Sequence, residues 1–398
     1  NTRFLDAGIP ARGLHGEAYR GHIFWDEVFV MPFYNLHFPE TARAALMYRY
    51  RRLGEAQKSA RDHGYQGALF PWQSGSSGRE ETQVLHLNPI SGEWGPDFSS
   101  LQRHVSLAIA YNIWDYVWVT GDLEFLETYG MELFLDICRF WFSKADFNQK
   151  TGRYSIYNVM GPDEFHEKYA DSQEGGLKNN TYTNLLAAWA FQRAADLLDM
   201  LPDETRADLQ QKFQLDDEEI ENWLKVSRRL QIPISDEGIL EQFEGYFKLS
   251  ELDWEHYREK YGDIHRMDRI LKAENKSPDE YKVAKQADTL MIFYLLSEEN
   301  VRGLLKNQGY TVPDEFLARN FQYYLKRTSH GSTLSRLVHA YLAHKIGEDD
   351  LGDRFYHQAL TSDYNDIQDG TTREGIHIGV MGGTVLYAVR ALGGLNWE

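Results

Sequence analysis

Two adjacent carboxylates stand directly behind a Gly-Pro turn in Gly161-Pro162-Asp163-Glu164-Phe165-His166. Proline fixes one backbone dihedral and glycine frees the other, so the chain must bend here. Shielding by the Phe165 ring and repulsion from Asp163 both favour the neutral carboxyl of Glu164, the form a general acid needs. A surface turn with ordinary acids is the competing reading. Trp25-Asp26 is a pair that can grip a sugar: an indole face meets the C–H side of a pyranose, and a carboxylate accepts from two hydroxyls. A buried tryptophan next to a helix-capping aspartate fits the same two residues. Lys285-Gln286 supplies donors from lysine and both donor and acceptor from glutamine, or simply a solvated helix face.

Anion chemistry is carried by two glycine-containing segments. In Thr328-Ser329-His330-Gly331-Ser332-Thr333-Leu334-Ser335 the helical stripe begins near Leu334, so Ser332 and Thr333 fall at a helix start. Free amides and the helix dipole there favour an anion by roughly 0.3–2 kcal/mol, and His330 can add a charge-assisted bond. Plain capping explains the same hydroxyls. Gly375-Ile376-His377-Ile378-Gly379 opens another helix, and the two starts together can form a composite anion site around His377 and Gly379, or merely a tight turn. The Asn179-Asn180-Thr181-Tyr182-Thr183-Asn184 run reads either as helix capping or as partners for sugar hydroxyls. Neither CxxC, HExxH, a P-loop nor GxGxxG occurs, so no metal and no nucleotide cofactor is expected.

The elements that must hold these residues are helical. Leu133, Phe134, Ile137, Phe140 and Trp141 make one apolar stripe, and Ala287, Leu290, Met291, Tyr294 and Leu295 repeat it. Gly121 can stop one helix and Asp122 cap the next. Further helices are predicted near 40–62, 101–119, 181–200, 314–325, 332–346, 350–361 and 384–392, with few strands. Loops at 20–35, 65–100, 155–180, 238–266, 326–335 and 363–384 concentrate Gly, His, Trp and acids, as functional loops do. The pattern predicts an all-α toroid of helical hairpins over residues 1–398, with an open helical solenoid as runner-up.

Composition narrows the function classes. A net charge of −18 argues against nucleic acid or an anionic membrane as partner, and it means that any phosphate needs a dedicated cradle. No run is long and apolar enough for a membrane span, and no signal-peptide pattern is present. Cys138, the single cysteine, sits in an apolar run as an inert thiol, which favours a cytoplasmic setting.

Taken in order, Phe24-Trp25-Asp26, Gly161-Pro162-Asp163-Glu164, Asn179-Asn180-x-Tyr182-Thr183-Asn184, Lys285-Gln286-Ala287-Asp288, His330-Gly331-Ser332-Thr333-Leu334-Ser335 and Glu374-Gly375-Ile376-His377 resemble glycoside hydrolase family 65 over the whole chain. The resemblance implies an (α/α)6 barrel and inverting phosphorolysis of an α-glucosidic disaccharide to β-glucose 1-phosphate and a free sugar. It makes Glu164 the general acid, Trp25, Asp26, Lys285 and Gln286 the glucose-binding set, and His330, Ser332, Thr333, His377 and Gly379 the phosphate-binding set. Inorganic phosphate is then the co-substrate, with no other cofactor, and a homodimer is the assembly implied. The N-terminal β-sandwich usual in the family is expected to be absent. The rivals are an inverting, trehalase-like hydrolase using Glu374, Asp369 or Glu244 as base, and a non-catalytic sugar-binding barrel.

Overall fold

The computed structural model of the chain describes residues 4–367 and 371–394. Six helices form a closed inner ring: Glu27–His37, Val105–Thr120, Thr181–Asp199, Asp288–Leu295, Thr333–Lys345 and Ile378–Tyr387. Each packs on the next, and the last returns to the first. Outside them lie Pro39–Tyr50, Met131–Lys144, Asp217–Ser227, Phe316–Leu325 and Asp349–Leu360, each against one or two inner helices. This is the (α/α)6 barrel. A closed ring rather than an open solenoid follows from that final contact.

The two layers differ in pattern for a physical reason. Every residue of Asp288–Leu295 is buried, because an inner helix faces side chains on all sides. The outer helix Asp217–Ser227 buries one stripe, Ile220, Trp223, Val226 and Ser227, and leaves its acids to solvent. Local signals act as expected at several ends. Gly121 closes Val105–Thr120 with a left-handed φ of 67°, and the Asp122 carboxylate accepts from the Phe125 amide at 2.9 Å. Cys138 is buried, and burial pushes its thiol up.

Three expectations need correction, the simplest being the loop at 238–266, which contains the helix Trp254–Tyr261 capped by Asp253. The stretch 20–35 is not loop throughout: a helix starts at Glu27 and runs through Pro32. Its residues are buried around most of the circumference, which erases the stripe, and an internal proline ordinarily signals a break. The last inner helix starts at Ile378, earlier than the predicted 384, because Gly379, Gly382 and Gly383 dilute its helical pattern. Strands are few: among the described residues there are two short antiparallel pairs, Leu85–Leu87 with Trp94–Pro96 and Ala145–Asn148 with Arg153–Ile156.

Candidate active site

The residues that precede or begin the six inner helices are Asp26, His104, Asn180, Ala287, Ser332 and His377. A cavity of about 1090 Å³ opens beside four of these starts, lined by Trp25, Asp26, Glu164, Lys285, Gln286, Ser332, Thr333 and His377, with a rim of Tyr19, Arg20, Arg266 and Arg269. The positive ends of the helix dipoles therefore gather where an anion would sit, in a protein whose overall charge repels it. A second depression, about 910 Å³, lies by Phe293, Ser297, Tyr341 and Lys345 at the C-terminal ends of two inner helices and holds none of the motif residues.

Glu164 is displayed on a pinned loop. The Asp163 amide donates to Asp288 Oδ1 at 2.6 Å, and Gln286 Nε2 donates to the Pro162 carbonyl at 2.7 Å. The Lys285 amide donates to Asp163 Oδ1 at 2.6 Å. Asp288 is itself fixed by Asn180 Nδ2 at 2.6 Å; burial, then the neighbouring Asp163 charge, push its carboxyl well up. Held this way, Glu164 takes a left-handed φ of 63°, a strained conformation that surrounding bonds must enforce. Tyr19 and Arg20, also on the cavity wall, share that backbone region.

The surroundings of Glu164 differ from those expected. Phe165 turns into a separate apolar cluster with Leu252, Tyr257 and Met267. Asp163 is spent on His166 Nδ1, at 2.7 Å, and on the Lys285 amide. What meets Glu164 instead is Lys285, whose Nζ donates to Oε2 at 2.7 Å. Burial lowers the lysine, but the Glu164 charge, Tyr19 and the Glu164 hydrogen bond together raise it above its ordinary value.

Asp26 stands at the start of the first inner helix with its carboxyl raised to about 7, by burial first and by the Glu164 charge second. A fully buried ion pair beneath it anchors that turn. Arg49 reaches Glu27 Oε2 at 2.7 Å and the Phe24 carbonyl at 3.1 Å. Trp25 lines the cavity yet is only 3% exposed, with His104 and Phe29 at ring distances of 5.1 and 5.2 Å, so it forms the floor rather than an open stacking platform. Gln286 uses its amide nitrogen on the Glu164 loop, while its Oε1 has no partner among the described residues.

The two expected anion cradles are unlike. Ser332 Oγ caps the Thr333 helix by accepting from the Leu334 amide at 3.2 Å, which leaves its hydroxyl proton to donate elsewhere. His377 Nδ1 lies 2.6 Å from Asp363 Oδ1 and 3.3 Å from Arg12 Nη1. Burial lowers His377, against the opposing pull of Asp363. His330 contradicts the expected charge-assisted donor: its ring packs at 4.6 Å from His339 and 4.9 Å from Phe355, it is not among the cavity-lining residues, and burial, then His339 and Arg336, push it well down. Gly379 is likewise off the wall. It lets the last inner helix approach the first, since a Cβ there would come within 3.3 Å of Asp26 Oδ1.

Of the carboxylates considered as water-activating bases, Glu374 lines the cavity. Glu244 does not; it pairs with Lys178 and Asn179 at 2.7 Å each. Asp369 lies outside the described residues. The asparagine run takes the capping role, with Asn180 Oδ1 accepting from the Thr183 amide at 3.0 Å. Sequence reasoning missed Arg12, Tyr19, Arg20, Asp363, Arg266 and Arg269. The only local signal was Arg266-Met267-Asp268-Arg269, two guanidines at helical spacing. No cluster of metal-binding side chains and no helix long and apolar enough to cross a membrane occurs among the described residues.

Comparison with known proteins agrees with this geometry. The family model for the glycosyl hydrolase family 65 central catalytic domain matches residues 1–386. The chain belongs to glycosyl hydrolase family 65. It is 48% identical over 395 residues to trehalose 6-phosphate phosphorylase of Lactococcus lactis, covering 99% of this chain and 50% of that protein. It is 49% identical to an uncharacterized glycosyl hydrolase of Mycobacterium tuberculosis, of which it covers 30%, and 34% identical to kojibiose phosphorylase of Halothermothrix orenii, of which it covers 47%. A solved structure of a candidate kojibiose phosphorylase from the human microbiome superposes with a TM-score of 0.81 at 28% identity, covering 99% of this chain and 53% of that one. This family 65 barrel thus spans about half the length of the phosphorylases it matches.

Proposed function

We propose that the barrel cleaves an α-linked glucose disaccharide by phosphorolysis, with inversion at the anomeric carbon. The observation that carries this reading is that Glu164 and the two helix starts at Ser332 and His377 share one cavity. The names of similar proteins support it: they act on trehalose 6-phosphate, kojibiose, trehalose and 1,2-α-glucosylglycerol, all by phosphorolysis. What varies among those names is the leaving group.

In the proposed cycle the glucosyl ring sits over Trp25, with Asp26 and Gln286 Oε1 accepting from its hydroxyls. Glu164 passes its proton to the bridging oxygen as the C1–O bond breaks and the bond pair stays on that oxygen. A phosphate oxygen forms the new bond to C1 from the opposite face, steadied by Ser332, Thr333, Arg12 and His377. The products are β-glucose 1-phosphate and the freed sugar. The proton carried in on monohydrogen phosphate restores the carboxyl of Glu164 through solvent, so charge and protons balance. Lys285 holds Glu164 in place between turnovers and steadies its carboxylate once the proton has left. No cofactor beyond phosphate is required.

An inverting hydrolase would need a base about 6.5–9.5 Å from the acid to activate water. Glu374 is the described candidate from that set on the cavity wall. Incubation with trehalose, maltose, kojibiose and nigerose, each with and without phosphate, separates the readings. Phosphate-dependent release of β-glucose 1-phosphate is expected. Equal cleavage without phosphate, yielding only free glucose, would replace phosphorolysis with hydrolysis, and sugar binding without any cleavage would leave a binding barrel.

A further inference from the structure

The arginines at the cavity rim do no work in the cycle above. Arg266 and Arg269 sit three residues apart, at the start and in the first turn of the short helix Met267–Ala273, and both line the cavity. Residues at this spacing share a helix face. Their charges oppose one another: burial first, then Arg266, lower Arg269. Arg266 is partly neutralised by Asp268, through Nη2 at 2.7 Å and Nε at 3.1 Å. The guanidinium of Arg269 has no hydrogen-bond partner among the described residues, although its carbonyl accepts from Asn88 Nδ2 at 3.2 Å. Arg20 reaches the same wall from a strained turn, with its Nη2 on the Glu81 carbonyl at 3.1 Å. The phenol of Tyr19 interacts electrostatically with Arg266, Arg269 and Lys285 alike, and it lines the same cavity.

An unpaired guanidinium beside a second one is costly unless an anion completes it, and a planar fork of N–H donors suits phosphate oxygens. The nucleophile already has its own cradle at Ser332, Thr333, Arg12 and His377. We infer that Arg269 and Arg266, with Arg20, form a second anion subsite that holds a phosphate group carried by the leaving sugar, so that the natural substrate is a phosphorylated disaccharide. This rests on the phosphorolysis reading and specifies its leaving group. The subsite uses the long side chains of arginine because a phosphoryl group on the departing ring lies a full sugar away from the bond that breaks.

The reverse reaction tests it with defined probes. Wild-type protein is given β-glucose 1-phosphate with either glucose or glucose 6-phosphate as acceptor, and binding of each acceptor is measured separately by calorimetry. Glucose 6-phosphate is expected to be the better acceptor by about tenfold or more in kcat/KM, and to bind more tightly than glucose or inorganic phosphate. Arg269→Gln and Arg266→Gln should each raise the KM for glucose 6-phosphate about tenfold, while the KM for β-glucose 1-phosphate and the rate with glucose stay within about twofold. A preference for glucose in the wild type would overturn the inference. So would variants that raise the KM for β-glucose 1-phosphate as much, since the arginines would then belong to the nucleophile cradle. Should neither acceptor be glycosylated, phosphorolysis itself fails, and the calorimetric comparison of glucose 6-phosphate with glucose in wild type and Arg269→Gln still decides whether the subsite exists.

Discussion

The floor of the cavity and its rim are built by opposite means. At the floor, charged groups are paired or fully hydrogen-bonded: Arg49 with Glu27, Asp163 with His166, Asp288 with Asn180, Lys285 with Glu164. At the rim, Arg266 is paired with Asp268, but among the described residues Arg269 has no side-chain hydrogen-bond partner and Arg20 bonds a backbone carbonyl alone. Paired, buried charge fixes geometry at a cost in desolvation that neither partner can bear alone. Unpaired, half-buried charge does little for folding and is left available for a ligand. On the proposed reading, the difference separates the groups that must be held rigid for reaction from those left free to recognise the leaving group.

Breaking the floor should therefore be expensive. Glu164→Gln is expected to lower kcat for phosphorolysis about 10²–10⁴-fold and, because it leaves the Lys285 ammonium without its carboxylate, to lower the melting transition as well; a variant turning over within about threefold of wild type would remove Glu164 as the acid. Arg49→Ala strands the buried Glu27 carboxylate and should cost about 3–5 kcal/mol in denaturant unfolding. A loss below about 1 kcal/mol would show that the pair does not anchor the Trp25-Asp26 turn.

Asp26 sharpens the comparison through pH. Its carboxyl titrates near 7 in the folded protein, against an ordinary 3.8. Between those values the native state holds a proton that the unfolded chain has released, so stability falls as pH rises and the full penalty is present above 7. Asp26→Asn lacks this slope. Relative to wild type it should gain about 2 kcal/mol on going from pH 5 to pH 8, measured by denaturant titration at both; parallel curves would contradict the burial argument.

Smaller effects separate the two helix starts and then the rim. His377→Asn is expected to raise the KM for phosphate about tenfold, and His330→Gln to change it less than about twofold, with steady-state kinetics as the readout. Equal effects would return His330 to the cradle. At the rim, Arg269→Gln should alter unfolding free energy by no more than about 0.5 kcal/mol. A larger loss would mean that the arginine is structural.

Much of this was legible along the chain. Cap chemistry at Gly121-Asp122 and Ser332, the stripe through Leu133–Trp141 and the acid-bearing turn at Glu164 are local, because they depend on spacing of a few residues and on dihedral preference. The inner helices were harder to bound, since burial on every side removes the contrast that periodicity needs; Glu27–His37 was hidden in this way, with Pro32 adding a false break. The site was legible as a set of motifs, and Trp25, Asp26, Lys285, Gln286, Ser332, Thr333 and His377 do meet at one cavity.

By itself, then, the sequence determined the helical repeat, the turn that carries the proposed acid Glu164 and the absence of nucleotide-binding or zinc motifs, all of which are written in residue type and short spacing. Only the tertiary structure decided that Asp163 turns away from Glu164 while Lys285 turns towards it, that His330 packs into the protein while His377 faces the cavity, and that Arg266 and Arg269 stand at the same mouth as Arg20, some 246 positions earlier in the chain. The physical reason is that a closed ring of helices brings their starts to one end whatever their separation in sequence, and which way each side chain points is then settled by the partners it finds there.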